Sequence, residues 1–127
     1  MISMLLDSDI AIDYLRGAPP AVAFVREHES VIALSAVTVA ELFAGVRDGE
    51  ETGRLEEFVG LFPVIAVDGP IARQAGLHRR DYGPSHGVGL ADGMIAATAM
   101  ARELRLQTLN VRHYPMIPDL RPPYVRS

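Results

Sequence analysis

The sequence predicts an α/β fold in which a central parallel sheet of four to five strands is layered between helices. Three observations carry that prediction. Short runs of bulky apolar residues, as found in strands buried on both faces, alternate with segments of helical period, and glycines and prolines fall between the two. Strands that alternate with helices imply right-handed crossovers, so the strand exits share one edge of the sheet.

The first run, Ile2, Met4, Leu5 and Leu6, is too short for a helix and ends abruptly at Asp7-Ser8-Asp9. Beyond it Ile10, Ile12, Tyr14 and Leu15 take up a period of about 3.6 residues, so strand turns to helix there. Asp7 is thereby placed on the rim where ligands collect in open α/β sheets. Gly17 breaks the helix near Arg16, and Pro19-Pro20 opens a second one over Ala21 to Glu29, carried by Val22, Phe24 and Val25. Val31 to Leu34 is the second strand, and Ser35 begins a helix that ends at Gly49. Glu50 to Leu61 is a further helix, with Leu55, Phe58, Val59 and Phe62 on one side, and Pro63 to Val67 is the third strand. Asp68-Gly69-Pro70 caps and opens a helix running to about Arg80. Tyr82 to Gly89, rich in Gly, Pro, Ser and His, reads as a loop. Leu90 to Leu104 is a helix whose alanines permit close approach to a sheet, Leu106 to Leu109 is the fourth strand, and Asn110 to Tyr114 leaves its end. The proline-rich tail supplies one short edge strand at most, around Leu120. No repeat and no linker divides the chain, so residues 1–127 are expected to form one domain.

Composition narrows the chemistry. A chain of 127 residues, 49% hydrophobic and 22% charged, matches an ordinary soluble globule that buries roughly two-thirds of its unfolded surface. The absence of cysteine excludes disulfides, thiolate zinc sites and cysteine nucleophiles. No apolar stretch approaches a membrane span, and the N-terminal run lacks the basic lead-in of a signal peptide, so a cytoplasmic protein is expected. All twelve basic side chains are Arg, which suits bidentate phosphate contacts, although biased codon usage is the stronger explanation. A net charge of −4 argues against a broad basic surface for nucleic acid, unless a bound divalent cation reverses the sign locally.

Three carboxylates stand apart. Glu41 is the only charge between Ala36 and Val46, Asp92 the only one from Gly87 to Ala101, and Asp7 ends a buried strand. Burying a lone carboxylate costs several kcal/mol unless it is partnered, and a metal is one such partner. Each also has a structural role open to it: Asp7 or Ser8 as a helix cap, Thr38 to Glu41 as a capping box, and Asp92 as a first-turn acid facing the helix dipole. Independent caps have no need to face one another, whereas these positions and Asn110 all fall at strand exits or early helix turns. Oxygen ligands without His or Cys suit a hard cation such as Mg²⁺ or Mn²⁺, commonly shared with a phosphate substrate. The histidines, His28, His78, His86 and His113, lack HxxxH or HExxH spacing and are expected on the surface or in loops. Gly87-Val88-Gly89 is a loop feature, lacking the third glycine of a dinucleotide fingerprint.

LLDSDIAIDYLRG, SAVTVAELFAG, LADGMIAATA and LNVRHYPMIPDLRPPY, in this order and spacing, resemble the PIN-domain ribonucleases, specifically the VapC toxins of toxin-antitoxin pairs. The resemblance implies a three-layer α/β/α PIN-like domain that hydrolyses RNA phosphodiesters with Mg²⁺ or Mn²⁺, leaving 5′-phosphate and 3′-hydroxyl ends. It implies that Asp7, Glu41 and Asp92 hold the metal, and that Asn110, where many members carry a fourth acid, helps through water or substrate. Asp9 becomes an outer-shell or second-metal ligand, and Ser8 a supporting hydroxyl. Arg16, Arg47 and Arg112 lie near the predicted rim and are candidates for contacts to the RNA backbone, although a solvated surface role is the stronger reading for each. Implied partners are a VapB-type antitoxin, whose C-terminal segment lies along the toxin groove, and a second copy in a homodimer. Two rivals remain. A haloacid-dehalogenase-type phosphatase would use Asp7-Ser8-Asp9 as its DxD pair, yet Ile10-Ala11 follows and Lys is absent, an absence that also counts against a response-regulator receiver. The other rival is a PIN-like module that binds without cutting.

Overall fold

The apolar runs become four strands in the computed structural model, which describes residues 1–126. They are β1 (Met4–Leu6), β2 (Ile32–Ser35), β3 (Val64–Ile65) and β4 (Arg105–Gln107), all parallel, in the order β3-β2-β1-β4. Between them lie α1 (Ser8–Leu15), α2 (Pro19–His28), α3 (Ala36–Ala44), α4 (Glu50–Val59), α5 (Gly69–His86) and α6 (Leu90–Ala101). Alternate strand residues face opposite layers. Leu6, Ile32 and Leu34 join Ile10, Leu42 and Phe58 from α1, α3 and α4, while Leu5, Ala33 and Leu106 join Ile95, Ala96 and Ala99 from α6. The product is three layers, α/β/α, with β1 and β4 meeting where the strand order reverses. Among the described residues no helix is long and apolar enough to cross a membrane.

Several boundaries differ from the sequence reading. The segment Tyr82 to Gly89, expected as a loop, is mostly helix, because α5 continues to His86 with Pro84 inside its last turn. Proline forgoes only one backbone hydrogen bond there. Gly87, at φ 67°, closes the helix by donating its N–H to the Gly83 carbonyl at 2.9 Å, and buried Val88 follows it. The helix expected to end at Gly49 stops at Ala44 instead. Gly45 and Val46 donate to Leu42 and Phe43 at 3.3 and 3.4 Å, which tightens the last turn, and Gly49, at φ 91°, redirects the chain into α4. The third strand keeps only two of its five expected residues, and the tail contributes no strand among the described residues.

The tail is tied down through α1. Tyr124 Oη donates to Asp13 Oδ2 at 2.8 Å, and Arg126 donates through Nε and Nη2 to both Asp13 oxygens at 3.0 Å. The Arg126 bond leads the effects that hold the Asp13 carboxyl below its usual range. His78 is a further departure. It is buried on α5 with Nε2 unpartnered, and burial pushes its pKa down despite Asp81 nearby.

Gly93 sets the spacing of the outer layer. A Cβ placed on it would stand 2.7 Å from the Ala75 carbonyl oxygen of α5, so only glycine lets α5 and α6 approach this closely. Gly93→Ala is therefore expected to cost about 1–3 kcal/mol despite alanine's better helix propensity, read as a lower urea midpoint with an unchanged m-value.

Candidate active site

Asp7 leaves β1 as the N-cap of α1 and is only 6% exposed. Its Oδ1 accepts from the Ser8 N–H at 2.8 Å. Its Oδ2 accepts from two buried hydroxyls, Thr108 at 2.8 Å and Tyr114 at 2.9 Å. Burial pushes the Asp7 carboxyl above the usual range, helped by the charge of Asp9 and opposed by these three donors.

Asp92 reaches the same rim from the opposite layer. As a crossover helix, α6 runs back against the strands, so its first turn lies at their carboxyl edge. Tyr114 lies between the two aspartates, with Asp92 Oδ1 at 3.5 Å from its hydroxyl. Burial, followed by the charges of Asp7 and Asp92, raises the phenol pKa and keeps it a donor. Asp92 Oδ2 lies 3.3 Å from His113 Nδ1 and 3.5 Å from the Gly89 N–H.

Glu41 comes from the second turn of α3 and stands on the open side of the rim. The capping-box alternative falls away, because Ser35 caps α3 by accepting from the Val37 N–H at 3.1 Å and Thr38 lies buried within the helix. Partial desolvation, then the charges of Asp7 and Asp92, raise the Glu41 carboxyl, with the Ser8 hydroxyl beside it. Carboxylates from three elements thus feel one another across one crevice. As they stand, no three Asp, Glu or His side chains among the described residues are close enough together to enclose an ion.

Asp9 is engaged elsewhere. Its Oδ2 accepts from the Leu109 N–H at 2.8 Å and from Thr108 Oγ1 at 3.2 Å, and its Oδ1 from the Ile10 N–H at 2.7 Å. It clamps the exit of β4 to α1, and burial raises its pKa. A phosphatase DxD pair needs that second aspartate free to move a proton, which these bonds oppose.

A family model described as PIN domain matches residues 4–114 of this chain. The chain belongs to the PIN-domain family. Among curated proteins it is 44% identical to ribonuclease VapC19 of Mycobacterium tuberculosis over 124 residues, which cover 94% of this chain and 98% of the relative. Ribonuclease VapC10 of the same organism is 41% identical over 126 residues, covering 95% of this chain and 92% of the relative. Among solved structures, a toxin-antitoxin complex from Klebsiella pneumoniae superposes with a TM-score of 0.82 at 27% identity, covering 96% of this chain and 98% of that one. A DNA-bound VapBC from Salmonella typhimurium gives 0.77 at 26% identity, covering 95% and 96%.

Within this PIN domain the other sequence candidates occupy different places. Among the described residues Asn110 makes no hydrogen bond to a carboxylate. Its Nδ2 lies 2.8 Å from His113 Nδ1, and its N–H donates to Thr108 Oγ1 at 3.0 Å. His113 lies on the short turn Val111–His113, partly exposed as expected, and its ring nitrogen contacts Asp92. Arg16 and Arg47 line a groove of about 950 Å³ between α1, α3 and α4, together with Glu41, Leu42, Arg54 and Leu55. Arg112 is exposed on the short turn Val111–His113. Thr108 and Tyr114, absent from the sequence candidates, secure Asp7 from within.

Proposed function

We propose that this PIN domain is the endoribonuclease toxin of a toxin-antitoxin pair, cutting RNA phosphodiesters with Mg²⁺ or Mn²⁺ held by Asp7, Glu41 and Asp92. The observation that carries it is the approach of those acids to one rim, where burial raises the carboxyls of Asp7 and Glu41 and the charges of Asp7 and Asp92 add to the rise at Glu41. Uncompensated negative charge among oxygen donors fits a hard divalent cation. Such an ion supplies Lewis acidity, activating water and offsetting the charge that develops on the phosphate. The rest falls to the protein. Thr108 and Tyr114 hold Asp7 Oδ2, leaving Oδ1, which has only the Ser8 N–H, as the oxygen to face a ligand. Asp9 serves as the outer support that fixes the β4 exit, Ser8 steadies Glu41, and Asn110 aids substrate placement. Arg16, Arg47 and Arg112 offer guanidinium groups to the RNA backbone.

The VapBC likeness supports a VapB-type antitoxin as partner, and family analogy supports a homodimer working in the cytoplasm. Mapping 5′ ends after incubating purified, antitoxin-free protein with total RNA tests the activity. Discrete cuts bearing 5′-phosphates are expected, and RNA left intact in the presence of Mg²⁺ and Mn²⁺ would refute it. Tyr114→Phe is expected to lower cleavage roughly 10–100-fold by loosening Asp7, while costing about 1–2 kcal/mol of stability. Single-turnover rates and thermal melts on one preparation check both.

A further inference from the structure

The groove between α1, α3 and α4 is lined by more acids than bases, since Glu41, Asp48, Glu50 and Glu51 outnumber its three arginines. A second groove, of about 700 Å³, follows the last turns of α5 to the start of α6 and has the opposite character. Arg79 and Arg80 line it and, among the described residues, no acid does. In a chain of net charge −4 that is a local reversal of sign. Arg80 engages Asp81 through Nε alone, at 2.9 Å, which leaves its terminal amino groups, and among the described residues Arg79 has no ion-pair partner. The floor is bare backbone, with the Arg79 stem lying over Gly83, its Cγ 3.6 Å from where a Cβ would stand. A Cβ on Gly76 or Gly89 would meet nothing within 4 Å, and neither residue has a positive φ. Neither packing nor backbone conformation calls for glycine there, and what glycine does at such a place is admit another chain at backbone level. Gly89 also joins the groove to the catalytic rim, because its N–H lies 3.5 Å from Asp92 Oδ2. From Gly76 to Gly87 the helix advances about 16 Å, room for about four stacked nucleotides.

We propose that this groove carries the RNA strand away from the carboxylate rim, with Arg79 and Arg80 bonded to phosphates beyond the one that is cut. The proposal rests on the nuclease reading given under Proposed function and names the surface that the substrate follows. The acids at the rim repel the phosphates that neighbour the scissile one, and two guanidinium groups further along the strand offset that repulsion. Each guanidinium fork can take two phosphate oxygens at once. Contacts of this kind fix register and affinity and read no base, so the groove holds RNA without choosing its sequence.

Fluorescence anisotropy of a labelled single-stranded RNA of about twelve nucleotides, with EDTA present to prevent cutting, tests it. The double variant Arg79→Gln, Arg80→Gln is expected to bind roughly tenfold more weakly at about 0.1 M salt, with a plot of log affinity against log salt about 1.4 shallower, the slope of two phosphate contacts. Gly76→Glu, which puts an acid on the floor where a side chain has room, should weaken binding comparably. Arg73→Gln, on the same helix but outside the groove, should leave it unchanged. All four positions are exposed, and matching melting temperatures check that each variant folds. Cleavage of total RNA at saturating enzyme should keep the wild-type rate in every variant. Equal losses in Arg73→Gln and the double variant overturn the groove in favour of diffuse charge, as does an unchanged affinity in the double variant, and either result leaves the nuclease reading standing. RNA that the wild type neither binds nor cuts removes both.

Discussion

Asp7→Asn, Glu41→Gln and Asp92→Asn are each expected to cut RNA cleavage by on the order of a thousandfold, the scale of losing a group that stabilises the reacting charge. The folded chain should survive each change. At Asp7 the amide keeps an acceptor toward Thr108 and Tyr114 and gives up the one facing the Ser8 N–H, a loss of about 1 kcal/mol that relief of a buried charge offsets. The pH dependence carries a definite sign. Asp7, Asp9 and Glu41 are raised in the fold above ordinary values of 3.8, 3.8 and 4.5, chiefly by burial. Through that window the folded chain holds protons that the unfolded chain has released. Their stabilising contribution is complete below the ordinary values, is lost as pH rises through the raised ones, and is flat beyond. Asp13 acts oppositely: its depressed carboxyl stabilises above the ordinary range, and that part is lost as pH falls through its folded value. Asp7→Asn should therefore flatten the decline expected in metal-free urea titrations as pH rises from the ordinary carboxylate value through the raised one. A variant that kept full growth inhibition and normal RNA binding would point to a binding module in place of a nuclease.

Addition of Mg²⁺ or Mn²⁺ is the second large effect. An ion that binds only the folded state at 100 times its dissociation constant adds about 2.7 kcal/mol, which raises the melting temperature of a chain this size by roughly 10 °C. The shift should vanish with a chelator and be absent in Asp92→Asn. Differential scanning calorimetry at fixed ionic strength separates it from general salt screening, and an equal shift in wild type and variant would place the ion elsewhere.

The layered sheet was legible because short bulky runs alternate with segments of helical period, and Asp7, Glu41 and Asp92 became candidates because isolated charges in apolar segments demand partners. The supporting groups were not. Thr108 and Tyr114 are ordinary polar residues in sequence, and their value comes from the parallel register of β1 and β4, which sets Leu6 against Gln107 and so brings Thr108 beside Asp7. A hydroxyl directly after a strand that pairs with β1 is the signal that could have found Thr108. His113 escaped for a similar reason, since motif spacing tests histidines against one another and this one is paired with an aspartate 21 positions away. The length of α5 was hidden by Gly83, Pro84 and Gly87, whose local preference for a loop is overridden by packing along α6.

The most direct test follows RNA cleavage by purified protein first stripped with EDTA and then given Mg²⁺ or Mn²⁺ back. Cleavage should disappear on chelation and return with either ion in the wild type, and it should not return in Asp7→Asn. Cutting that persists undiminished after thorough chelation would contradict a rim of carboxylates working through a divalent cation.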